Sequence, residues 1–404
     1  MVGVLGFDLE TTKFPQAFPW NEGHRIVSLH LATSDKVIKS YVIDHDDMTD
    51  FVPRSRLIKE IQQMFDKYKI IVAHNLKFDL CQLRSLGIDV SKHILYCTQV
   101  AEYLLNYQDK TIPLSLEETS KRYGITPKID RVKTYWDAGV DTPSIPLDIL
   151  IPYGEQDVIN CLDIFYKQQP KIRELGMKQL FQVNMETVRV LQEMEWNGML
   201  VDKPLMQQYS EEYGEKIQAL SCEFKLMLES KIPELEGIPY NLNSGDHLSV
   251  ILYGGELKYD GKEQTERVLK DGTIKYGERC AKVGVKTLGL KFKPLPKTQT
   301  AKAGFYQTDV QTLVQLKCTN KLQEKALEYI RELSRLEKLR GTYFDGMQKF
   351  IANDELIHHN LNQTVTVTGR LSCTQPNLQT IPRGATGPMK QIFISRYVQE
   401  SGET

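Results

Sequence analysis

Asp8 and Glu10 stand two residues apart in Phe7-Asp8-Leu9-Glu10-Thr11-Thr12, at the end of the apolar run Val2–Leu9. Side chains alternate along a strand, so the two acids share a face. Neighbouring carboxylates repel unless a cation lies between them, and an all-oxygen donor set suits Mg²⁺ or Mn²⁺. A pair of solvated acids at a strand end would have the same spelling. In His74-Asn75-Leu76-Lys77-Phe78-Asp79, a helix puts Asn75 and Asp79 on one face. Asn75 as a plain helix cap and Phe78 as ordinary core fit that segment as well. Tyr153-Gly154-Glu155-Gln156-Asp157 repeats the i, i+4 spacing, and Pro152 before it suits a helix's first turn. The stripe Val158, Cys161, Leu162 and Phe165 would hold Asp157 rigidly; a surface Asp and a half-buried Tyr are the alternative. His24, His30 and His74 are given no metal role, because lone histidines are more often packed or exposed than ligating.

The elements that must position these residues read as α/β. Val2–Leu9, Ile26–Thr33, Ser40–Ile43 and Ile70–Ala73 are expected strands of one sheet. Helical spacing covers Arg56–Tyr68 and about Leu76–Leu86, which Gly87 is placed to end. Such alternation argues for a sheet covered by helices. Beyond Gln169-Pro170 the pattern turns mostly helical, with long candidates at Lys178–Trp196, Pro204–Glu229 and Lys321–Ile351. Glu256–Lys302 holds 12 Lys+Arg against 6 Asp+Glu and reads as an irregular or hairpin-bearing basic insertion.

Charge divides at the same place. Residues 1–169 carry 19 Lys+Arg and 23 Asp+Glu, the rest 32 and 29, within a net charge of -1. A uniformly basic nucleic-acid coat is excluded, but a local basic surface is not. The 404 residues imply two to four domains at roughly 100–200 residues each. Ordinary hydrophobic and charged fractions, 41% and 25%, exclude a disordered chain or a fibre. No apolar run approaches the ~20 residues that span a bilayer, and the N-terminus lacks a signal-peptide pattern. Seven cysteines without metal-ligand spacing fit a reduced, cytoplasmic-type compartment.

D-x-E, then N-x-x-F-D with the motif acid at its end, then Y-x-x-x-D, in this order, resemble the proofreading 3′–5′ exonucleases of the DEDD superfamily, in the tyrosine subgroup. The resemblance implies a ribonuclease H-like domain over 1–170, a mixed sheet covered by helices. It implies two divalent ions, Mg²⁺ or Mn²⁺: Asp8, Glu10 and Asp157 on one, Asp8 bridging to the second, and Asp79 acting on the second through its water shell. Tyr153 would orient the attacking water, and Thr11, Asn75 and Phe78 would position terminal nucleotides.

Later segments resemble family A DNA polymerases. Asn241-Leu242-Asn243-Ser244 looks like the approach to the thumb, and Gly304-Phe305-Tyr306-Gln307-Thr308-Asp309 like G-x-Y-x-T-D. Leu336–Tyr343 is similar to the end of the thumb helix and supplies Lys338 and Arg340. Thr366-Val367-Thr368-Gly369-Arg370-Leu371-Ser372 and Pro376-Asn377-Leu378-Gln379-Thr380-Ile381-Pro382 are close to T-x-T-G-R-L-S and P-N-L-Q-N-I-P, departing at Thr380 and at Cys373, where Ser is usual. The likeness implies that Arg370 enters the minor groove, whose acceptors are similar for all base pairs, and that Asn377 and Gln379 lie near the primer terminus. A surface Arg on a turn and an ordinary loop are the plain alternatives. Leu356–Gln399 contains no Asp or Glu but has Arg370, Arg383, Lys390 and Arg396, a surface suited to phosphates. Residues 171–404 are thus expected to form a mainly α thumb with the beginning of an α+β palm.

The family's D-[YF]-S-x-x-E, fingers helix and H-D-E are not in these 404 residues. The favoured expectation is one half of a split, phage-type polymerase whose second polypeptide carries palm and fingers, with Phe393–Tyr397 as a palm strand awaiting its partner. A stand-alone exonuclease using the thumb as a DNA clamp and a non-catalytic DNA-binding scaffold are the alternatives. The expected partners are single-stranded 3′ ends, primer-template DNA and that second chain, with no membrane.

Overall fold

The computed structural model describes residues 3–13, 18–48, 53–125, 131–268, 274–382 and 387–396. Val2, Arg383, Tyr397 and Ser401–Thr404 lie outside the described residues. The chain divides into two compact units, Met1–Val201 with Phe350–Thr404, and Asp202–Lys349. The composition change at Gln169-Pro170 therefore marks no break in the chain, because one helix runs through it to Glu174.

The first unit is built on a five-stranded sheet of β1 (Val4–Thr11), β2 (Ile26–Thr33), β3 (Ile38–Val42), β4 (Ile70–Ala73) and β5 (Ile94–Cys97), in the order β3-β2-β1-β4-β5. β1, β2 and β3 are antiparallel neighbours, while β4 and β5 run parallel to β1. The strands alternate as their sequences require. Leu5, Phe7 and Leu9 enter one core with Leu29, Leu31, Ile71 and Ala73, and Val4 joins Ala32 and Val72 in the core of the other face. Helices α1 (Arg54–Phe65) and α2 (Leu76–Leu86) bring Ile61, Phe65, Leu76, Leu80 and Leu83 to the first core. Gly87 ends α2 at φ 83°, as its position predicts.

α3 (Thr98–Leu105), α4 (Leu116–Arg122), α5 (Arg131–Asp137), α6 (Leu147–Glu174) and α7 (Lys178–Asn197) complete the layers. α6 covers the second face with Val158, Cys161, Leu162 and Phe165, the stripe read from the sequence. It begins five residues before Pro152, so that proline lies inside the helix and not in its first turn. Two glycines set how closely α6 approaches. A Cβ on Gly6 of β1 would lie 2.6 Å from Leu162 Cγ, and one on Gly154 of α6 would lie 2.3 Å from the ring of His30. His30 is fully buried, and its ring nitrogens pair with Ser28 Oγ at 2.8 Å and Ser40 Oγ at 2.9 Å. Burial pushes its pKa down to about 4, so the ring is neutral at pH 7.

Residues after 350 return to this unit. β6 (Met199–Val201) sits between β9 (Leu356–Ile357) and β12 (Phe393–Ile394) in a three-stranded sheet. β10 (Asn360–Asn362) and β11 (Ser372–Thr374) form an antiparallel hairpin. Leu361 and Cys373 of that hairpin pack with Leu191 of α7.

The second unit is helical around a ribbon. α8 (Lys203–Lys231) and α11 (Lys321–Lys338) meet through Phe224, Leu228, Leu327 and Ile330, joined by α9 (Gly245–Tyr253) and the short α10 (Val310–Gln315). The expected continuous helix Lys321–Ile351 is interrupted: a π-helical turn at Leu339–Phe344 separates α11 from α12 (Asp345–Gln348). Within Glu256–Lys302, the hairpin reading is the observed one: β7 (Gly255–Val268) and β8 (Ile274–Thr287) pair with each other along their whole length.

Candidate active site

The end of β1 and the middle of α6 converge. Asp8 and Glu10 point from alternate positions of β1 toward the α6 face, opposite His30 and Ser28 of β2. α6 carries Asp157 to the same place. One carboxylate oxygen from each of Asp8, Glu10 and Asp157 lies within 4.8 Å of the other two. Glu10 and Asp157 are buried and Asp8 is half-buried. The β1–β2 register shifts between Glu10 and Thr11, a local irregularity of the kind that re-aims side chains at sites. Thr11 is buried just beyond it.

Asp79 lies outside that trio but feels it. It is buried in the first turn of α2, and burial first, then the charge of Asp8, pushes its carboxyl well above the usual carboxylate range. Three or four acids gathered in a low-dielectric crevice are unfavourable by themselves. A divalent cation is the group that reverses the sign, and the all-oxygen donor set fits Mg²⁺ or Mn²⁺.

Tyr153 lies one helical turn before Asp157. Its ring packs edge-to-face on Trp136 of α5, centroids 6.2 Å apart. Trp136 is itself fixed by Nε1 donating to Thr142 Oγ1 at 3.2 Å and by the Lys13 ammonium 4.1 Å above its ring. Trp136 was not singled out from the sequence. The signal was the apolar i, i+3, i+4 spacing of Val132, Tyr135 and Trp136, which marks a buried helix face.

Asn75 occupies the cap position of α2 in the left-handed conformation, φ 57°, and makes no side-chain cap hydrogen bond, so plain capping does not account for its side chain. Phe78 packs edge-to-face on Phe18, 5.7 Å between centroids, and Phe18 stacks on Trp20. Neither Phe18 nor Trp20 figured in the sequence reading. The three histidines near the motifs are used in protein contacts: His74 with Thr98 Oγ1 and Leu114 O, His24 with Gln82 Oε1, and His30 with its two serines.

The remaining expected nucleic-acid contacts lie elsewhere. Arg370 is exposed in the loop of the β10–β11 hairpin. Asn377 caps the short 3₁₀ turn Leu378–Thr380 by accepting from Gln379 N, and Gln379 Nε2 donates to Leu371 O at 3.2 Å. Lys338 is exposed at the end of α11 in the second unit. Arg340 there faces Asp345 at 3.5 Å.

Residues 2–173 match the family described as 3′–5′ exonuclease, and residues 281–400 match DNA polymerase family A. DNA polymerase I of Bacillus subtilis is 25% identical over 89% of this chain and 32% of its own length. That of Chloroflexus aurantiacus is 23% identical over 94% of this chain and 35% of its own. The thermostable DNA polymerase I of Thermus filiformis is 31% identical over 59% of this chain and 23% of its own. The chain thus spans 35% or less of the length of these relatives. Among solved structures, the POL domain of Pol1 from M. smegmatis, in complex with DNA primer-template and dNTP, aligns with a TM-score of 0.66 and 19% identity. That alignment covers 98% of this chain and 55% of the other, a likeness of fold. Residues 2–173 thus form a 3′–5′ exonuclease domain and residues 281–400 a DNA polymerase family A segment, in a chain similar to DNA polymerase I over most of its length.

Proposed function

We propose that this chain hydrolyses DNA from the 3′ end at the site formed by Asp8, Glu10, Asp79, Tyr153 and Asp157. The convergence of Asp8, Glu10 and Asp157 within 4.8 Å carries this reading. Two divalent ions held by these carboxylates, with Asp79 acting through a water shell, would lower the pKa of the attacking water and offset charge on the leaving 3′ oxygen. Tyr153, held by Trp136, orients the attacking water through its hydroxyl. Thr11, Asn75 and Phe78 position the last nucleotides of an unpaired strand. The sheet order and strand directions support a ribonuclease H-like domain over about 1–170, and residues 171–404 are read as thumb and the beginning of a palm. A cytoplasmic site of action fits a DNA substrate.

A time course on 3′- and 5′-labelled single strands, with Mg²⁺, with Mn²⁺ and with EDTA, tests the reading. The expected result is release of mononucleotides from the 3′ end, lost in EDTA. Degradation from the 5′ end, or at the same rate in EDTA, would refute it. A ribonucleotide strand in parallel sets the DNA-versus-RNA preference.

A split-polymerase reading has one supporting observation: among the described residues β12 is an edge strand of its sheet, able to accept a further strand. On that reading Arg370, Asn377 and Gln379, with Lys338 and Arg340, hold primer-template DNA for a second polypeptide carrying the palm carboxylates and fingers. Adding such a chain should restore templated nucleotide addition. No association at micromolar concentration would sink the idea.

A further inference from the structure

The loop that carries Arg370 is seated on the exonuclease helices. Its base is the β10–β11 hairpin, in which Asn362 pairs with Ser372. At that base Lys77 of α2 forms an ion pair with the buried Glu195 of α7, and its Nζ also donates to Asn360 Oδ1 at 2.8 Å and Leu361 O at 2.6 Å. Glu195 accepts from Leu361 N at 2.6 Å. The far side of the loop is held from α3. Tyr103 is 3% exposed, and its hydroxyl donates to Thr366 O at 2.6 Å. Thr366 passes the constraint on, since its Oγ1 donates to Arg370 O at 2.6 Å and its carbonyl also accepts from Gly369 N at 3.3 Å. Gly369 has φ 71°, and a Cβ there would lie 3.3 Å from Gln108 Nε2, just beyond α3.

Around these anchors the loop is open. Val365, Val367, Thr368, Gly369 and Arg370 are all exposed. The path from the buried Tyr103 hydroxyl to the Arg370 backbone is two hydrogen bonds long.

We propose that Tyr103, inside the exonuclease domain, is a positioning residue for the primer-binding loop Thr366–Arg370, so that this domain sets how the chain grips a paired primer terminus. The proposal rests on the reading of Arg370 as a DNA contact. A flexible nine-residue loop would lose conformational entropy on docking against a duplex, and a loop tied at both ends has lost most of it beforehand. Tyr103 packs in the core of the first unit and bonds to the Thr366 carbonyl, apart from the carboxylate cluster. Its part is to fix where the Thr366 carbonyl, and through it Arg370, stands.

The test uses the whole chain and two DNAs, a primer-template duplex and a single strand. Binding is followed by fluorescence anisotropy in EDTA, and 3′–5′ hydrolysis of the single strand is followed in Mg²⁺. Tyr103→Phe should raise the primer-template Kd roughly 3- to 10-fold, the effect of one lost hydrogen bond, with kcat and KM on the single strand unchanged. A double-mutant cycle with Arg370→Ala separates positioning from mere stability. If Tyr103 acts through Arg370, its substitution costs little once Arg370 is gone. Additive losses, or an unchanged Kd in Tyr103→Phe, would overturn the proposal. An unchanged Kd in Arg370→Ala would instead refute the reading of the loop as a DNA contact. Equal losses on both DNAs with a lowered Tm would mark Tyr103 as structural only.

Discussion

Asp8→Ala is expected to lower 3′–5′ hydrolysis of single-stranded DNA by about 10²- to 10³-fold, the scale of removing one preorganised electrostatic partner of a reacting group. Asp8 is the member of the trio whose charge also reaches Asp79, so its loss affects both ends of the cluster. The same substitution should not unfold the protein. In EDTA it removes one of several like charges that sit together without a counter-charge, so Tm should hold or rise. The parent should gain stability on adding Mn²⁺, because a ligand that binds only the folded state stabilises it by mass action. Asp8→Ala should lose that gain. Hydrolysis at the parent rate in Asp8→Ala would show that the cluster is not the active site, while a collapsed Tm in EDTA would show that Asp8 has a structural role missed here.

Gly154→Ala should have the second-largest effect, from a single methyl group. The added Cβ would meet His30 Cδ2 at 2.3 Å and Nε2 at 2.4 Å. His30 has little freedom to yield, being buried and held at both ring nitrogens by Ser28 and Ser40. Ser40 is held in turn, donating to Glu155 Oε1 at 2.7 Å. The helix must therefore lift, taking Tyr153 and Asp157 with it. A displacement near 1 Å at a reacting centre costs about 10² in rate, and overpacking costs about 1–3 kcal/mol in stability. Both are read by single-strand hydrolysis and thermal melting. His30→Ala in the same chain makes room for the methyl, so the double variant should recover part of the lost rate. Parent kcat in Gly154→Ala would mean that α6 does not need this close approach.

Much of the site could be read from the sequence because its spacings coincide with backbone periods. Asp8 and Glu10 differ by two on a strand, and Tyr153 and Asp157 by four on a helix, so residue types and intervals alone placed them in pairs. β2 and β4 were read at Ile26–Thr33 and Ile70–Ala73, where the observed strands lie. The misses have physical causes. β5, Ile94–Cys97, is as short as β4 but carries Tyr96 and Cys97 in place of a continuous aliphatic run, and it forms on the parallel edge that β4 offers. Pro152 looked like a helix start, but Pro146 already occupies the cap position and α6 begins at Leu147. The break at Leu339–Phe344 leaves the apolar pattern of α11 intact, since a shifted hydrogen-bond ladder changes few side-chain positions. Tyr103 and Thr366 are 263 positions apart, and no local pattern announces such a contact.

The three-stranded sheet β12-β6-β9 has a consequence for how the molecule is made. β6 is finished at Val201, but its neighbours arrive only with Leu356 and Phe393. On a ribosome moving at about 5–20 residues per second, roughly 190 residues and about 10–40 s separate β6 from its last partner. The five-stranded sheet has all its strands by Cys97 and can form early, while β6 waits as a short strand with both edges bare. Translation speed through the intervening residues therefore sets how long an incomplete sheet stands open during synthesis.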